Sequence, residues 1–103
     1  MTFENLEMKV VEWSRDRGIL TNGKAVTQLL KAISEMGELA DAYAKDRPDE
    51  VRDAVGDILV CLINFTRLYN GTDLVWCLSA AYDEIKDRKG YLTSDGLFIK
   101  EGK

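Results

Sequence analysis

Apolar residues return every three or four positions along most of this chain, and polar breaks divide it into four such runs. The first, from Phe3 to about Arg17, repeats Leu6, Val10 and Trp13 and meets Gly18, where a helix can stop. After the turn Thr21-Asn22-Gly23, a second helix is predicted from about Lys24 to Lys45, with Ala25, Leu29, Ala32, Ile33, Met36 and Leu39 on one broad face. The loop from Lys45 to Glu50 breaks the chain. Pro48 suits the first position of a helix, and Asp49 and Glu50 suit the positive end of its dipole. The third helix then runs to about Tyr69 and stops at Asn70-Gly71. Thr72 or Asp73 caps a fourth, which carries Leu74, Val75, Leu78, Ala81 and Ile85 and ends at Arg88-Lys89-Gly90. In the remainder, Leu92, Leu97, Phe98 and Ile99 predict a strap or small hairpin around Asp95-Gly96. Four helices with short links imply an all-α bundle, a single domain over residues 1–103 with mostly antiparallel neighbours.

A chain of 103 residues buries only about 60–70% of the surface its unfolded form exposes, so its core is thin and an oligomer would help. The net charge of −4 argues against a nucleic-acid polymer as partner and means that an anionic substrate needs a bridging cation. No apolar run approaches the ~20 residues of a membrane span, and the start is unlike a signal segment, so a cytoplasmic protein is expected. Cys61 and Cys77 sit in apolar segments without CxxC spacing and read as buried, reduced thiols. Histidine is absent, which removes Ser-His-Asp chemistry and histidine metal sites. Carboxylate, lysine and arginine chemistry remains.

The carboxylates fall in stripes. At about 100° per residue, Lys24, Gln28, Lys31, Glu35 and Glu38 lie within a sector of roughly 80° on the second helix. On the third, Glu50, Asp53, Asp57 and Asn64 lie within roughly 60° of one another. Asp57 precedes six consecutive apolar residues, Ile58 to Ile63, and is expected near the core, where a charge needs a partner. If the two helices pack side by side, Glu35 and Glu38 face Asp53 and Asp57. Such an oxygen-only set selects a hard ion, Mg2+ or Mn2+. The plain alternative is a solvated acidic face.

The segments Glu35-Met36-Gly37-Glu38-Leu39 and Val55-Gly56-Asp57-Ile58-Leu59 resemble the MazG-like, all-α nucleoside triphosphate pyrophosphatase superfamily, whose pattern is E-E-x-x-E, a gap, then E-x-x-D. The likeness extends to Val11–Leu20, Gln28–Ala42 and the tail from Glu84, as in the small single-domain members of bacteriophage genomes. The resemblance implies that Glu35 and Glu38 are the second and third glutamates of the first motif and Asp57 the aspartate of the second. Ser34 stands where the family has its first glutamate, and Ala54 where it has the glutamate three before Asp57. Asp53, one turn before Asp57, is expected to take over, and one or two metals per site are implied. The family hydrolyses nucleotides between the α and β phosphates, giving monophosphate and pyrophosphate, and assembles as dimers or dimers of dimers. Candidate substrates are dGTP, dUTP and dCTP, in nucleotide-pool control. Glu35, Glu38 and Asp57 are then the catalytic set, and one of the glutamates orients the water.

The supporting residues each have an ordinary role beside the functional one. Lys31 either contacts a phosphate or pairs with Glu35 one turn on. Gln28 binds a base or sugar or simply meets solvent, and Asn64 belongs to the site or bonds two helices. Trp13 stacks on a base or packs in the core. Arg88 and Lys89, with Lys86 and Lys100, either bind the triphosphate across a subunit boundary or favour a helix C-terminus. Ser34 and Ala54 motivate a rival, a catalytically inactive helical module that binds nucleotides or a protein. A plain structural bundle is the third reading.

Overall fold

The computed structural model describes residues 1–102. It is mostly helical, with five helices and one small antiparallel hairpin: α1 Phe3–Asp16, α2 Ile19–Asn22, α3 Ala25–Ala44, α4 Pro48–Asn70, α5 Leu74–Ile85, β1 Gly90–Leu92 and β2 Phe98–Lys100. Three of the helix starts have the chemistry their sequence offers. Thr2 forms a capping box with Asn5, Pro48 opens α4, and the Asp73 carboxylate accepts from Trp76 N at 2.6 Å. Gly18 and Gly71 take the left-handed conformation at the ends of α1 and α4.

The expected count of four helices is corrected to five. Beyond Gly18 the chain makes one further turn of helix, α2, where only a loop was expected. Four residues are too few to show a period. The fourth expected helix also ends earlier, at Ile85, and Lys86 to Lys89 form the bridge to the hairpin. Asp73 rather than Thr72 is its cap.

Packing is led by α3 against α4. α1 and α2 lie on α4, α5 touches α1 and α4 but not α3, and among the described residues the hairpin approaches no helix. The radius of gyration is 16.3 Å, against about 13 Å for a compact chain of this length. This protomer is therefore open, 46 × 35 × 29 Å in extent.

Burial bears out the expected faces only in part. On α1 the buried line is Glu7, Val11 and Ser14, while Leu6 and Trp13 are exposed. On α3 it is Ala32, Glu35 and Ala42, while Leu29, Ile33 and Met36 are exposed. On α5 nothing is fully buried, and Leu78 and Ile85 face outward. The line that packs inside the protomer is the polar-containing one, one position away from the apolar ridge. Cys61 is buried as expected, Cys77 is half-buried, and both are free thiols.

Candidate active site

A helix fixes the direction of each side chain to within its turn, so the two acidic stripes meet wherever α3 and α4 pack. They do meet. Glu35, Glu38, Ala42, Glu50, Asp53, Ala54 and Asp57 line one cavity of about 220 Å³ between the two helices. Four of the expected ligands, Glu35, Glu38, Asp53 and Asp57, are thus brought together. Glu50 joins them, as its place on the stripe suggested.

Their surroundings differ. Glu35 is the buried member, 9% exposed, and Lys31 approaches its carboxylate at 3.8 Å. Arg47 lies 3.5 Å from Glu50, and Arg52 Nε lies 4.0 Å from Asp53, both at the exposed rim. Among the described residues Glu38 and Asp57 have no ion-pair partner. Asp57 is exposed at the cavity wall, which corrects the expectation that it lies near the core. The six apolar residues after it wrap around the whole helix at 100° a step, so the run does not place Asp57 itself.

Five carboxylates around one small cavity, with no histidine or thiolate among them, have the donor chemistry of a hard divalent cation. Among the described residues no three of them are drawn together as a formed ligand set. Ala54 is buried in the cavity wall, whereas Ser34 is exposed and does not line it.

A second recess of about 220 Å³ adjoins the first, lined by Trp13, Ile19, Gln28, Lys31, Asp57, Val60, Cys61 and Asn64. Asp57 is common to both. The Arg17 guanidinium sits over the Trp13 ring, 4.5 Å from its centroid. Asn64 is 2% exposed and joins two helices. It accepts from Ser14 Oγ at 2.6 Å and donates from Nδ2 to Gln28 Oε1 at 3.4 Å. Ser14 is a participant that periodicity passed over, since a serine inside an apolar helix gives no sign of its partner. Burial pushes the Cys61 thiol up from its ordinary pKa, against a smaller opposing effect of Lys31.

Arg88 and Lys89 lie elsewhere. With Lys100, Glu84, Asp87 and Glu101 they line a separate recess at the foot of the hairpin. Within one protomer they share no cavity with the carboxylates, because α5 does not reach α3.

No helix among the described residues is long and apolar enough to cross a membrane. No protein-family model matches the chain, and no solved structure matches it. Over 60 residues, 58% of its length, the chain is 30% identical to an uncharacterized 18.2 kDa protein encoded in the rep-hol intergenic region of Haemophilus phage HP1. The aligned stretch covers 37% of that relative, so the chain spans little more than a third of the phage protein's length.

Proposed function

We propose that this protein is a Mg2+-dependent nucleoside triphosphate pyrophosphohydrolase that cleaves a nucleotide to its monophosphate and pyrophosphate. The observation that carries the reading is the pair of adjoining recesses sharing Asp57, one walled by carboxylates and one by an aromatic, amides and a lysine. Phosphates need the first and a base fits the second.

Glu35, Glu38, Asp53 and Asp57, with Glu50 at the rim, would hold the cation; Mn2+ suits the same oxygens. When bound, the ion supplies charge stabilisation on the phosphates and a more acidic water. One of Glu35 and Glu38 orients a water at the α phosphorus and takes its proton. The new bond is from water oxygen to the α phosphorus, and the bond that breaks runs to the oxygen bridging to the β phosphate. The departing pyrophosphate carries that oxygen. Gln28, Asn64 and Trp13 hold the base. Arg88 and Lys89 would reach a triphosphate only from a neighbouring copy. A homo-oligomer, dimer or tetramer, is supported by the open shape and by the exposed Val26, Leu30, Ile33 and Met36 of α3. The proposal extends to a role in the nucleotide pool of a host cytoplasm, with dGTP, dUTP or dCTP as candidate substrate, a setting that agrees with the phage origin of the relative.

The test is a panel of ribo- and deoxynucleoside triphosphates with Mg2+ or Mn2+, with the products separated. Monophosphate and pyrophosphate from a preferred nucleotide, reduced at least about 100-fold in Asp57→Asn and Glu38→Gln, are expected. Diphosphate and phosphate as products would refute the reading. The rival of an inactive nucleotide- or protein-binding module is favoured by Ala54 in the cavity wall. It predicts nucleotide binding with no turnover in any metal.

A further inference from the structure

The geometry points to a specificity relay, Ser14–Asn64–Gln28, that makes the base recess a hydrogen-bond donor and selects nucleobases with two adjacent acceptors, cytosine or guanine, over uracil and thymine. This rests on the proposal above that the recess takes a base.

The relay begins at a residue that solvent cannot reach. Ser14 has no exposed surface, and its hydroxyl lies 2.6 Å from an amide terminus of Asn64. That separation suits O–H···O, whose usual length is about 2.7–2.8 Å, better than N–H···O at about 2.9–3.0 Å. The atom facing Ser14 is therefore the amide oxygen, Oδ1, and the single hydroxyl proton of Ser14 is committed to it. The amide of Asn64 is held in one orientation, with Nδ2 turned to Gln28.

Nδ2 donates to Gln28 Oε1 at 3.4 Å, which turns that oxygen toward Asn64 and leaves Gln28 Nε2 as a donor on the other side of the amide, at the recess. The second proton of Asn64 Nδ2 and the ammonium of Lys31 are donors as well. Asp57 is an acceptor, but it stands at the end shared with the carboxylate cavity. One buried hydroxyl thus sets the polarity of two amides that a ligand would meet.

Paired donors match a base edge with neighbouring acceptors, O2 and N3 of cytosine or O6 and N7 of guanine. Uracil and thymine carry a proton on N3 between their carbonyls, so a donor would face a donor. Leaving a donor unpaired against such a base costs affinity. Ser14 does not touch the base in this arrangement; it is a positioning residue.

The experiment is competitive turnover of dCTP, dGTP, dUTP and dTTP by the full chain with Mg2+, in wild type, Ser14→Ala, Ser14→Thr and Gln28→Glu. Wild type is expected to prefer dCTP or dGTP over dUTP by about tenfold or more in kcat/KM. The winner of the two tells a pyrimidine edge from a purine edge. Ser14→Ala should bring the ratio within about twofold, Ser14→Thr should restore it, and Gln28→Glu, which replaces a donor by an acceptor, should shift it toward dUTP. Preference for dUTP in wild type, or an unchanged ratio in a folded Ser14→Ala, overturns the relay. Should Ser14→Ala fail to fold, Gln28→Glu on the half-buried rim decides. Absence of all turnover refutes the pyrophosphohydrolase reading alone. Calorimetric binding of dCMP, dGMP and dUMP to wild type and Gln28→Glu then tests the relay by the same order, and binding of none of them overturns it.

Discussion

Ala54 is the cavity-wall residue at which the proposed cation site departs from the resembled pattern. It is buried in the wall, its Cβ direction is set by α4, and the resembled pattern has a glutamate there. Ala54→Glu should add an oxygen donor and tighten Mg2+ binding by about tenfold in calorimetry, whereas a purely structural bundle would only lose stability to another like charge. Cys61 gives a second residue-level expectation. Its buried thiol is held protonated above the usual range, and the thiolate is the reactive form. Alkylation of the native protein should therefore mark Cys77 and leave Cys61 until the chain unfolds, as peptide mass mapping would show. The direction of Glu35, Glu38, Asp53 and Asp57 was legible in the sequence, because a regular helix converts spacing into angle. Their depth was not. Whether Asp57 is covered depends on what α3 packs beside it, which spacing along α4 does not tell.

At the scale of the element, α5 is anchored through Glu7. This carboxylate, 3% exposed, accepts from Leu74 N at 2.7 Å and Val75 N at 3.2 Å, answering amides at the start of α5 that have no partner inside their own helix. Glu7→Ala should cost about 2–4 kcal/mol by denaturant titration and raise hydrogen exchange at Leu74 and Val75 specifically. The hairpin has its own acid-sensitive contact. Thr93 Oγ1 donates to Asp95, and this bond holds the Asp95 carboxyl below its usual value of 3.8. A lowered folded value means that the contact supports the hairpin above that pH and is lost as pH falls further, so the protection of Gly96 and Leu97 amides, relative to their intrinsic exchange rates, should fall only below about pH 4 by NMR. Turn chemistry made the hairpin readable around Asp95-Gly96, and Gly96 does take a positive φ of 91°. No sequence signal announced α2 or the Glu7 contact, since one is a single turn and the other joins residues far apart in the chain.

For the whole molecule, the outward turn of Leu6, Leu29, Ile33, Leu78 and Ile85 is the main departure from what periodicity predicts. Periodicity identifies an apolar ridge without saying whether the same chain or another copy covers it. If a second copy covers α3, Ile33→Glu should place a charge in the contact and reduce the mass measured by sedimentation to that of the 11.6 kDa chain, with wild type at least about twice as heavy.

Asp57 serves as a party wall between the two recesses, and that has a thermodynamic consequence. If the proposed nucleotide and cation occupy those recesses, a group facing both cannot respond to one alone: a base that reorients it alters the cation's affinity. Reciprocity then requires the cation to change the affinity for that base by the same factor. Base choice and metal choice would in that case be one coupled equilibrium, with its coupling energy concentrated in a single carboxylate.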